Sequence, residues 1–146
     1  MKVLFVASGN SERGVSPIVK AQADSLITKG VELILFTIKG KGVKGYLSNI
    51  RNLKKTISQF SPDIIHAHYS LTAFVTSLAS KKPIVVSLMG SDVKSSNKFK
   101  PVVRFFSKYV WSTTIVKTED MKESIRLKNA VVIPNGVYLD RFRPLS

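Results

Sequence analysis

The chain contains no cysteine. Disulfide staples, thiolate nucleophiles and cysteine-ligated zinc are therefore excluded, and the composition fits a reducing compartment. Histidine is nearly as scarce, with His66 and His68 the only two. Acidic residues are also few: nine stand against 23 basic ones, a formal charge of +14. No stretch reaches the roughly 18 apolar residues of a membrane-spanning helix. The opening "MKVLFVASGNSERG" has too short an apolar run for a signal peptide, and Ser8 to Gly14 reads as a turn. These absences describe a cytoplasmic domain that meets a membrane only from outside.

What is present suits one domain with one core. The 146 residues are 44% hydrophobic, an ordinary globular value that argues against disorder. Short β-rich runs occupy 2–7, 31–38, 63–69, 83–89, 113–118 and 130–134. Their near-continuous Val and Ile content is that of parallel strands covered on both faces. Helical patterns fall between them. The span 17–29 has Ser16 as N-cap, Pro17 at the first helical position and Gly30 just past the end. Tyr46, Leu47, Ile50, Leu53, Ile57 and Phe60 recur at helical spacing and predict one apolar stripe. Ser70 is placed to cap a helix over 71–80, and further helices are predicted over 101–111 and 119–127. The glycine-rich 39–45 reads as a loop. Strand and helix in alternation predict an α/β, Rossmann-like, doubly wound, mostly parallel sheet with helices on both faces.

Ligands of such sheets bind beyond the carboxyl ends of the strands. That rule selects five loops. "SGNSERGVS" either cradles phosphate at a helix start or is a turn that needs glycine. It matches neither GxGxxG nor the GK[ST] loop of nucleoside triphosphatases. In "HAHYS", side-chain alternation puts His66 and His68 on one face. No third ligand follows at useful spacing, so no metal site is expected. His66 suits a core role. His68, nearer the strand end, is placed to face a cleft and touch a sugar hydroxyl or phosphate. In "MGSDV", Ser91 and Asp92 are placed to cap a helix or to hold a hydroxyl group. "PNGV" is a turn whose Asn135 can bond its own backbone. "KTED" is the fifth.

Taken together the loops resemble a known family. "GVSPIVKAQADSLITKGVEL", "PDIIHAHYS", "VVSLMGSDV" and "VVIPNGVYLDRFRP" resemble the N-terminal domain of retaining, two-domain GT-B glycosyltransferases of family 4. The resemblance implies that residues 1–146 are the acceptor-side half of a GT-B fold. Ser146 would stand at the boundary before a second Rossmann-like domain, and nothing apolar follows the tail to pack against it. The family transfers a sugar from a nucleoside-diphosphate sugar, with retention, to an acceptor that is often lipid-linked or a polysaccharide intermediate. The nucleotide sugar is a donor substrate, not a tightly held cofactor. The isolated half would be inactive. Residue by residue, Gly14 matches the second glycine of the first loop, while Arg13 replaces the first. Ser16 matches a small or acidic helix-start residue. Gly90, Ser91 and Asp92 match Gly-Ser/Thr-Asp, but Met89 stands where many members have histidine. Asn135 and Gly136 match the interdomain motif, and His68 matches a frequent family histidine. The resemblance thus implies Gly14, Ser16, Gly90, Ser91, Asn135 and Gly136 as ligand-binding positions, with His68 and Asp92 as catalytic candidates.

The positive charge then acquires a context. Lys44, Arg51, Lys54 and Lys55, with Lys98, Lys100, Arg104 and Lys108, lie in amphipathic segments placed to rest on an anionic inner leaflet. Two alternatives compete with the transferase. One is a nucleotide-sugar epimerase or hydrolase of the same two-domain plan. The other is a basic nucleic-acid-binding module, for which no recognisable signature appears, so no nucleic acid partner is expected.

Overall fold

The computed structural model describes residues 1–10, 14–89 and 100–134. In chain order the elements are β1 (Lys2–Ser8), α1 (Pro17–Thr28), β2 (Glu32–Ile38), α2 (Gly42–Leu47), α3 (Ile50–Phe60) and β3 (Ile64–His68). Then come α4 (Ser70–Ala79), β4 (Ile84–Ser87), α5 (Lys100–Tyr109), β5 (Thr113–Val116), α6 (Glu119–Ile125) and β6 (Val131–Val132). The strands form one sheet in the order β2-β1-β3-β4-β5-β6, and all pairs are parallel. The chain leaves β1 toward one edge and returns to build the other side. Strand order therefore reverses between β1 and β3, where a crevice opens at the carboxyl ends.

Side-chain alternation decides which helix covers which face. Val3, Phe5 and Ala7 of β1 pack against Val19 and Ala23 of α1. Their neighbours Leu4 and Val6 point the other way, into Tyr46 of α2, Leu53 and Ile57 of α3, and Val75 of α4. Farther along that second face, Val103 of α5 and Met121 and Ile125 of α6 close over Ala67, Val86 and Val116. Trp111 completes this cluster and donates its indole N–H to Ser77 Oγ at 2.9 Å.

The ends of α1 are as the sequence predicts. Ser16 accepts from the Ile18 N–H, Pro17 opens the helix, and Gly30 takes a φ of 90°. Three local expectations differ. The single stripe from Tyr46 to Phe60 is broken between α2 and α3. Asn49 sits at the break, and its side-chain amide donates to the carbonyls of Lys39 and Gly45, at 2.9 and 2.8 Å. The glycine-rich 39–45 is half helix, because α2 begins at Gly42. Ser70 is the first residue of α4 and not its cap. The cap position falls on Tyr69, at φ 92° and ψ 147°, a conformation that side chains rarely adopt.

Candidate functional site

A cleft of about 460 Å³ occupies the point where strand order reverses. Its floor is the end of β1 at Ala7 and Ser8 and the end of β3 at His68. Ser16 and Val19 at the start of α1 form one wall. Lys41, Gly42 and Tyr46 form another, and Met89 closes the side after β4. Among the described residues, no carboxylate lines it.

The Lys41 wall is held by side-chain amides. Asn10 Nδ2 donates to the Gly40 carbonyl at 2.7 Å, and the Gly40 N–H donates back to Asn10 Oδ1 at 2.8 Å. Gly40 has a φ of 117° and touches Gly45 so closely that a Cβ on Gly45 would lie 2.6 Å from the Gly40 carbonyl carbon. Two glycines therefore fix the path that presents Lys41 to the cleft.

The two histidines are buried and stacked. Their ring centroids lie 4.2 Å apart with planes inclined by 18°, and Phe5 packs against both. His66 Nε2 and Ser87 Oγ form a 2.7 Å hydrogen bond. Burial, and secondarily the nearby Lys117 ammonium, lowers the His66 pKa from 6.5 to about 4. Burial also holds His68 well below its ordinary value, with His66 and Lys117 acting the same way. Both rings are thus neutral at physiological pH. His68 is 3% exposed, and its Nε2 has no hydrogen-bond partner although it is enclosed. A buried polar atom left unpaired costs about 1–3 kcal/mol, so a ligand group that reached it would recover that energy.

His68 and Ser16, read from the sequence, therefore meet in one cleft with Met89. Gly14 has a φ of 75° with open space where a Cβ would stand, but it does not line the cleft. Gly90, Ser91, Asp92, Asn135 and Gly136 lie outside the described residues. Asn10, Lys41 and Tyr46 are additions from the structure. Their local sequence reads only as turn, loop and core, so nothing marked them as neighbours of His68. No group of three metal-ligating side chains occurs among the described residues.

The family described as "Glycosyl transferase 4-like" matches residues 14–118, and the chain belongs to that family. None of the curated proteins matches the sequence. Among solved structures, S. aureus MnaA with UDP superposes with a TM-score of 0.66 at 18% identity, covering 92% of this chain and 44% of that one. The UDP-GlcNAc 2-epimerase from Neisseria meningitidis bound to UDP-GlcNAc gives 0.64 at 19%, with 92% and 46% covered. The UDP-GlcNAc 2-epimerase from Methanocaldococcus jannaschii gives 0.64 at 12%, with the same coverage. The likeness is one of fold, and this chain spans less than half the length of each.

These structures overturn the retaining-transferase expectation. The folds that superpose include UDP-GlcNAc 2-epimerases, so the assignment to a family 4 retaining hexosyltransferase of polysaccharide biosynthesis is withdrawn. The physical reason is that the motifs carrying it are strand ends and turns. Such features report a shared first domain, not the chemistry done across it. The lipid-linked acceptor and the membrane face rested on the transferase reading and are withdrawn with it. The basic residues have a plainer account. Lys44, Arg51, Lys54 and Lys55 are the solvated side of α2 and α3, whose apolar side is core. Lys100 donates to Ser124 Oγ at 3.4 Å, Arg104 to the Lys100 carbonyl at 3.4 Å, and Lys108 lies over the Tyr109 ring. Lys98 lies outside the described residues. Among the described residues, no helix is long and apolar enough to cross a membrane.

Proposed function

We propose that this chain is the sugar-side, N-terminal Rossmann-like domain of a nucleotide-sugar epimerase acting on a UDP-sugar. A second, donor-binding domain would complete it in the longer protein. The observation that carries the reading is the cleft at the strand-order reversal, with the unpartnered His68 Nε2 on its floor. The relatives of this fold that hold UDP or UDP-GlcNAc support it.

In this reading His68 contacts the sugar as a neutral imidazole. Ser16, with Gly14 ahead of it, edges the diphosphate, and Gly90, Ser91, Asn135 and Gly136 are further ligand-binding positions. Inverting the acetamido-bearing carbon by proton exchange requires a base to remove its proton while UDP leaves the neighbouring carbon with the electron pair, and then return of the proton and of UDP. A histidine held neutral well below its ordinary pKa is a poor base for a C–H bond. Asp92 after β4 is one of several carboxylates this chain offers beyond strand ends, with Glu119 and Asp120 after β5 among the others. Of these Asp92 is the candidate base in this reading, with the partner acid coming from the second domain.

The test is to incubate the two-domain protein with UDP-GlcNAc in D2O and follow the sugar by proton NMR. Deuterium at the carbon bearing the acetamido group, with appearance of the 2-epimer, is the expected result. Sugar consumed only when an acceptor is added, without solvent exchange, would refute the reading.

A further inference from the structure

Lys117 is a cation near the cleft that the reading so far does not use. Lys117 follows the last residue of β5. The register pairs His68 with Ser87 and Ser87 with Ile115. Alternation therefore puts Lys117 on the same sheet face as His66, His68 and Ser87, at the same carboxyl edge. Neighbouring strands are about 4.8 Å apart, so β5 stands about 10 Å from β3. The ammonium is near enough to lower the basicity of both imidazoles.

Lys117 is partly buried, and burial lowers its own pKa. It makes no ion pair or hydrogen bond among the described residues. A cation drawn partly out of water without an anion is unfavourable. Across the same edge, His68 Nε2 is enclosed and unpartnered. A ligand hydroxyl would satisfy the imidazole and leave the ammonium unpaired. An oxyanion satisfies both, because a neutral imidazole N–H and an ammonium are donors.

We propose that Lys117 and His68 form an oxyanion subsite at the carboxyl edge of β3 to β5, which takes one phosphate or carboxylate group of the cleft's ligand. The subsite deepens the nucleotide-sugar reading, which supplies only the identity of the ligand. The group can arrive as the nucleotide's diphosphate or as a carboxylate on the sugar.

The experiment titrates the two-domain protein with inorganic pyrophosphate, glucuronate, uncharged glucose and UDP-GlcNAc. Binding constants are measured, and the His68 imidazole resonances are followed in long-range proton–nitrogen spectra. Pyrophosphate or glucuronate should shift His68 saturably, and glucose should not. Pyrophosphate alone identifies the diphosphate as the source, and glucuronate alone the sugar carboxylate. Lys117→Met should weaken that binding on the order of ten- to a hundred-fold, as expected for loss of a charge-assisted hydrogen bond. Lys117→Arg should retain most of it. The proposal is overturned if neither anion moves His68, or if Lys117→Met binds as tightly as the wild type. Should Lys117→Met not fold, the wild-type titrations and Lys117→Arg still decide. An anion response without UDP-GlcNAc binding keeps the subsite and removes the nucleotide-sugar reading. UDP-GlcNAc bound equally by wild type and Lys117→Met, with no anion response, does the reverse.

Discussion

Acid should destabilise this protein through its two histidines, and the size of the effect follows from their burial. His66 falls from 6.5 in the unfolded chain to about 4 in the folded one. Between those values the unfolded state binds the extra proton, so stability rises with pH across that window. The contribution is fully present above about pH 6.5 and is lost as pH falls through about 4. Its full size is about 3 kcal/mol, of which about 2 kcal/mol is lost between pH 7 and pH 5. His68 is lowered in the same direction and adds to the loss. Urea melts at pH 7 and pH 5 measure the difference. The net charge of +14 also grows in acid and contributes general repulsion, so the comparison is with His66→Gln/His68→Gln. That double variant should lose at least 2 kcal/mol less than the wild type over the same interval. Equal losses in the two proteins would refute the claim that the stacked pair is held neutral by the fold.

Other expectations concern single positions. Ser77→Ala leaves the buried indole N–H of Trp111 without its 2.9 Å partner and should cost about 1–3 kcal/mol. Denaturant titration followed by the emission of Trp111, the one tryptophan of the chain, reads this directly. Gly45→Ala places a methyl group 2.6 Å from backbone that has no side chain to move aside. It should displace Lys41 and weaken UDP-GlcNAc binding more than it lowers global stability. Unchanged calorimetric affinity would show that the Lys41 wall does not touch ligand. Ser16→Ala removes the cap of α1 and should lower the urea midpoint by an amount equivalent to about 1 kcal/mol. Ser16→Asp should restore it.

The transferase resemblance shows where sequence motifs stop being informative. Pro62 to Ser70 and the glycine-bearing strand ends specify how a strand meets a helix, and the structure bears out the fold they imply. Two enzymes with one first domain share such features whatever reaction they perform. The basic amphipathic segments mislead for a related reason. A helix with core on one side and lysine on the other has the same pattern whether the lysines face water or lipid.

The sequence by itself determined the alternation of strands and helices, the capping of α1, and the strand ends at which the cleft opens. These depend on neighbours two to four residues apart, which local patterning records directly. It also placed His68 at a strand end, but its expectation that His66 is the deeper of the two does not hold: His68 is 3% exposed and His66 7%. Tertiary structure alone decided the rest. The break at Asn49 arises because its amide is captured by the carbonyls of Lys39, in the preceding loop, and of Gly45, within α2. The wall of Asn10 and Gly40 joins residues 30 apart. The alignment of Lys117 with His68 needs the β3-β4-β5 register, which spans some fifty residues of chain. Strand order and register are set by packing summed over the whole sheet, so no short stretch of sequence carries them.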